Sequence, residues 1–265
     1  MLLIFLVAGL IVGSFLNVVV YRVNLAENLV TGRSYCPHCK NKIRWYDNIP
    51  VLSFLVLKAE CRDCQGKISW QYPMVEIFTG LMFAAIGWKF FNIADVSTWI
   101  ATSFYLGAAS FLIAIFVYDW LFLEIPGLVL WPAIGWTVVF NLIFDWSRLS
   151  LGSNLLDIAT YSGTLAAFAA FMLFFLMVAV SKEKWMGMGD AYLVILLGLI
   201  AGWPNILLAL MLAFSIGAII GLVLIAFKKK KMDSQIPFGP FLVAGTFIAI
   251  FFSESIINWY LGLFY

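Results

Sequence analysis

The chain is expected to be an all-α integral membrane protein of about eight transmembrane helices, with a small cytoplasmic zinc-ribbon-like module between the first and second. Three observations lead there: the scarcity of charge, the length of the apolar runs, and two cysteine pairs in one polar stretch. Of 265 residues, 64% are hydrophobic and 11% charged, and the mean hydropathy is +1.01. A soluble domain carries about 25% charged residues. So few charges cannot cover a globular surface, which leaves membrane lipid as the main solvent. The net charge of +2 is small, and no feature points to a nucleic-acid partner.

A bilayer core of about 30 Å needs roughly 20 apolar residues per helix. Backbone groups in hydrocarbon must be bonded within the segment, so the spans are helical. Eight windows qualify: 2–21, 73–91, 98–118, 121–144, 155–180, 189–203, 205–227 and 236–261. The first lacks the basic start of a secretory signal and is longer than a signal's apolar stretch, so it reads as a retained helix. The sixth is short, and Trp203-Pro204 punctuates its passage into the seventh.

Positive charge orients these spans. Arg22, Arg33, Lys40, Lys42, Arg44, Lys58, Arg62, Lys67, Lys182, Lys184 and Lys228 to Lys231 fall on one side, 14 of the 16 Lys and Arg residues. Only Lys89 and Arg148 fall on the other. The 22–72 segment and the loops near 119, 184 and 231 are therefore expected in the cytoplasm, with both termini outside.

All four cysteines lie in the large cytoplasmic segment, as Cys36-Pro-His-Cys39 and Cys61-Arg-Asp-Cys64. Two such knuckles offer four thiolates to one tetrahedral zinc. Disulfides are disfavoured in the cytoplasm, and a segment this short needs a staple. Four thiolates fill the coordination sphere, so the zinc is expected to be structural. His38, the single histidine, reads as an exposed knuckle residue. Its uniqueness excludes a two-histidine zinc protease and leaves no free base for a serine triad.

Ionisable residues at membrane depth are functional by default. Asp95, Asp145 and Asp157 lie at outer helix ends, where solvation accounts for them, and Glu254 lies close enough to an end to snorkel. Glu76, near the inner end of the second span, suits a cation site or a helix cap. Asp119 ends the third apolar run and Asp190 begins the sixth, so both face the cytoplasmic interface. Asp190 follows Gly187-Met188-Gly189, where two glycines permit close backbone approach. An N-cap or interface anchor would explain either aspartate alone; together they suit a catalytic pair. One carboxylate can deprotonate water while its protonated partner donates to the scissile carbonyl.

The whole set of motifs resembles the type IV prepilin peptidases. It comprises Gly13-Ser14-Phe15-Leu16-Asn17, Gly32-Arg33-Ser34, the two cysteine pairs, Trp45 to Pro50, Tyr72 to Glu76, Asp119 with Pro126, Gly187 to Asp190, and Ile236-Pro-Phe-Gly-Pro240. The resemblance implies an endopeptidase of the bacterial inner membrane that removes a basic leader from prepilins and pseudopilins at the cytoplasmic face. It makes Asp119 and Asp190 the catalytic residues. It also implies N-methylation of the new terminus with S-adenosylmethionine. Three departures from the family stand out: Gly127 and Tyr192 where the family usually has Asp or Asn and Lys, and Ala59-Glu60 where it commonly has a Gly-Lys or Gly-Arg pair tied to methylation. That last change exchanges a cation for an acid, so methyl transfer stays open, as does the residue set for the methyl donor.

The expected organisation is a first transmembrane helix at 1–21, the zinc module at 22–72 and a membrane-embedded peptidase core at 73–265. Lys228 to Lys231 reads as a positive-inside anchor, and Asn17 as either a substrate contact or an interhelical hydrogen bond. Two other functions compete with prepilin processing. One is a presenilin-like or signal-peptide-peptidase-like intramembrane protease, which Tyr118-Asp119 and Gly187 to Asp190 suit equally. The other is a non-proteolytic zinc-ribbon membrane scaffold.

Overall fold

A computed structural model describes residues 1–29, 32–149, 158–227 and 236–262. Asp157 and the Lys228 to Lys231 run lie outside the described residues. The elements are α1 (Leu2–Asn24), a 3-10 turn (Trp45–Asn48), α2 (Leu52–Val56), α3 (Gln71–Phe90), α4 (Val96–Phe122), α5 (Gly127–Leu149), α6 (Ala159–Ser181), α7 (Met188–Ala201), α8 (Asn205–Ala226) and α9 (Gly239–Leu261). Eight of the nine described α-helices fall on the eight predicted windows. Six of them are long and apolar enough to cross a membrane, so the protein is a multi-pass membrane protein. The other two are α3, diluted by Gln71, Glu76 and Thr79, and α7, whose 14 residues extend only about 21 Å.

The chain divides into two compact units, Met1–Val117 and Tyr118–Tyr265. In the first, α1 lies along α3 because glycines remove the side chains that would separate them. A Cβ on Gly9 would stand 2.7 Å from the Gly80 Cα, and one on Gly13 would stand 2.7 Å from the Glu76 Cα. Asn17 donates to the Tyr72 carbonyl at 3.1 Å, which makes it an interhelical bond. The Glu76 carboxylate is buried and accepts the Val51 N–H at 2.7 Å and the Ser14 hydroxyl. It anchors Val51, held at φ +61°, beside the start of α3.

In the second unit α7 is the central helix. Leu193, Val194, Leu196 and Leu197 are wholly buried, and apolar residues all round a helix are what a fully enclosed one requires. Its lack of length follows: a helix covered by protein need not match the bilayer. Gly198 meets the α6 backbone so closely that a Cβ would lie 2.5 Å from the Ala167 Cα. From α5, Asn141 donates to the Leu199 carbonyl at 3.1 Å. Asp145 is a correction to the sequence reading. It is buried, not solvated, and accepts the Ala159 and Thr160 N–H groups at 2.6 and 2.9 Å, so it caps the start of α6 from the neighbouring helix.

Candidate functional site

Asp119 and Asp190 both belong to the second unit. Asp119 occupies the last turn of α4 and is 4% exposed. The helix stops just beyond it: the Leu123 N–H closes on the Asp119 carbonyl at 2.9 Å, and Leu123 turns left-handed at φ +58°. The chain reverses through Ile125 and the buried Pro126, whose carbonyl accepts the Val129 and Leu130 N–H groups and so starts α5.

Asp190 sits three residues after Gly187, the N-cap of α7. Its own N–H bonds the Gly187 carbonyl at 3.2 Å, and its carboxylate accepts the Gly187 N–H. This is the returning half of a capping box, and it fixes the carboxylate at the positive end of the helix. Ile125, six residues after Asp119, presses on the Cβ position of Gly189, next to Asp190, so the fold brings together the stretches that carry two aspartates 71 positions apart in sequence. The two glycines of the motif differ. A Cβ on Gly189 would press on Ile125 at 3.0 Å, whereas one on Gly187 would meet nothing closer than 3.9 Å. Gly189 is needed for packing, and Gly187 leaves open space beside the pair.

The start of α9 completes the site. The Gly239 N–H is directed at the Asp119 carboxylate, while Asp119 Oδ2 is buried without a hydrogen-bond partner. Sequence reading assigned no role to Gly239 or Ile125. A Gly-Pro pair at a helix start was the available signal for the former, and nothing marked the latter. Tyr192 is partly exposed, with its ring centroid 6.4 Å from that of Phe171 and 6.0 Å from that of Trp131.

The cysteines form a second centre, in the first unit. All four are free thiols, and their sulfur atoms lie within 4.8 Å of one another, with Cys36 and Cys64 at 3.9 Å. Four thiolates about 2.3 Å from a zinc stand about 3.8 Å apart, so the set fits a tetrahedral metal. The two knuckles repeat each other. Cys36 and Cys61 donate to the Asn41 and Gly66 carbonyls, and accept from Lys40 and Gln65, which are left-handed at φ +59° and +58°. Bridges from Tyr35 to Lys42 and from Glu60 to Lys67 close both. His38 is exposed, outside the sulfur set. Arg62 binds Asp47 with two nitrogens, the shorter contact at 2.6 Å, and holds that carboxyl below its ordinary range. Ala59 is left-handed at φ +63°, and its carbonyl accepts the Ile68 N–H at 2.7 Å.

The fold is a multi-pass helical one with two aspartates at helix ends. Residues 7–90 match the bacterial peptidase A24 N-terminal domain, and residues 106–222 the type IV leader peptidase family. A prepilin leader peptidase/N-methyltransferase of Aeromonas hydrophila is 32% identical over 96% of this chain and 91% of its own length. Proteins of the same name from Legionella pneumophila and Stutzerimonas stutzeri are 31% and 30% identical, over 97% of this chain and 94% and 92% of theirs. No solved structure matches the chain. The chain belongs to the type IV leader peptidase family, and it is a peptidase.

Proposed function

We propose that this peptidase removes the basic leader of type IV prepilins and pseudopilins at the cytoplasmic face of the bacterial inner membrane, with Asp119 and Asp190 as its catalytic residues. The observation that carries the assignment is the Ile125 side chain, which touches the Cβ positions of Gly189 and Gly239 and so joins the turn after Asp119 to the helix start that bears Asp190. Close carboxylates share a proton, so one can activate water while the other protonates the leaving amide. They act as a coupled dyad without separate fixed roles. The open side of Gly187 is where the substrate backbone approaches.

The charge pattern supports a cytoplasmic site: Lys182 and Lys184 immediately precede the Gly187 motif, on the side that the positive-inside rule keeps in the cytoplasm. A substrate with an apolar helix and a basic leader would then present its junction to the dyad. Zinc is the metal proposed for Cys36, Cys39, Cys61 and Cys64, in a structural role, since four thiolates leave no open position. The names of the relatives support a second activity, N-methylation of the new terminus with S-adenosylmethionine, while Glu60, an acid where the resemblance expects a cation, weighs against it.

Co-expression with a candidate prepilin, followed by mass measurement of its amino terminus, tests both activities. The reading expects loss of the leader at the junction of basic and apolar residues, and methylation adds about 14 Da. Cutting in the middle of the apolar segment would favour a presenilin-like protease instead. An intact precursor would favour a scaffold.

A further inference from the structure

The tightest contact around the aspartates involves a glycine. Gly239 opens α9 and is buried. A Cβ built on it would lie 2.5 Å from Asp119 Oδ2 and 3.1 Å from Ile125 Cδ1. Real Cβ atoms do not come that close to a carboxylate oxygen, and Asp119 has little freedom to withdraw, being almost wholly buried. The Gly239 N–H is one of the donors left without a partner at a helix start, and it is directed at the same carboxylate. One residue thus supplies the space that admits the carboxylate and leaves a free helix-start N–H beside it. The same Ile125 side chain touches the Cβ positions of Gly189 and Gly239, so the turn after Asp119 locks onto the starts of both α7 and α9.

We propose that Gly239 is a positioning residue for the peptidase: its bare Cα and its N–H seat the Asp119 carboxylate against the start of α9, within reach of Asp190. This rests on the assignment of the two aspartates made above. Gly189 has a different job. The three atoms nearest its Cβ position all belong to Ile125, so its role is packing, and trimming Ile125 removes the closest of them, Cγ1 at 3.0 Å.

The test separates these two roles. Gly239→Ala lowers kcat on a prepilin on the order of tenfold to a hundredfold, the range a misplacement of about 1 Å produces, with KM nearly unchanged. Ile125→Val, which removes Cδ1, does not restore it. Gly189→Ala also loses activity, but Ile125→Ala restores it. Wild-type kcat in Gly239→Ala, or recovery by Ile125→Val, would overturn the proposal.

A second measurement needs no activity, and so stands even if the peptidase reading fails. In thermal unfolding of the purified protein, Gly239→Ala lowers the Tm in the wild-type background and costs much less in an Asp119→Ala background, where the colliding oxygen is gone. Should Gly239→Ala fail to accumulate, the double variant is expected to recover accumulation. An equal Tm loss in both backgrounds, or no recovery, would show that Asp119 is not what Gly239 makes room for.

Discussion

Removing zinc from the four-cysteine module should unfold residues 32–70 while the helices stay assembled. Among the described residues between 25 and 70, the only buried apolar side chains are Cys36 and Phe54, the latter edge-on to Trp70 at 4.9 Å. Burying a phenylalanine contributes about 1.5–3 kcal/mol. The Arg62–Asp47 pair, exposed on its arginine side, adds about 1 kcal/mol. Ordering each residue opposes folding by about 1–2 kcal/mol, so a core of this size cannot hold nearly 40 residues. A structural zinc contributes about 10–16 kcal/mol in small zinc domains, more than Phe54 and the ion pair together, so the metal is the largest of these contributions. The assay is hydrogen exchange of the detergent-purified protein before and after chelation, with zinc content followed by mass spectrometry. Peptides from 32–70 are expected to lose their protection while α1 and α3 keep theirs, held by the glycine contacts at Gly9 and Gly13. Because the aspartates belong to the other unit, part of the peptidase activity should outlast the metal. If zinc is gone and protection over 32–70 is unchanged, the reasoning is wrong.

Gly198→Ala places a Cβ against the α6 backbone and should cost about 1–3 kcal/mol, read as a lower Tm. Gly221→Ala, whose Cβ meets nothing within 4 Å, should cost nothing. Asp145→Ala leaves the first N–H groups of α6 without their acceptor and should destabilise by about 1–2 kcal/mol in the same measurement. Ala59→Gly relieves a left-handed alanine and should stabilise the zinc module by about 1 kcal/mol, seen as slower hydrogen exchange around Cys61.

Particular residues show where sequence reading succeeds and where it stops. The long helices are legible because lipid demands continuous apolar runs, so their positions follow from hydropathy alone. The metal centre is legible because its ligand spacing is local: Lys40 and Gln65 repeat one turn twice. The length and enclosure of α7 are less so, because an apolar run looks the same whether lipid or protein surrounds it. Asp145 lies at the end of an apolar window and reads as solvated, yet its partners are N–H groups 14 and 15 residues away, a pairing that only the packing of α5 on α6 creates. Gly239 is the clearest case. Its motif is visible, but the reason for a glycine is an oxygen of Asp119, 120 positions earlier. A requirement for empty space leaves no trace in the local sequence.

The central claim is that Asp119 and Asp190 carry out cleavage, and the isosteric amides test it most directly. Asp119→Asn and Asp190→Asn are each co-expressed with a prepilin, and the mass of the pilin amino terminus is measured alongside the amount of enzyme in the membrane. The account predicts full-length precursor with either variant, at normal enzyme levels, because the amide keeps the shape of the carboxyl while removing its charge and its exchangeable proton. Processing at the wild-type rate by either variant would contradict it.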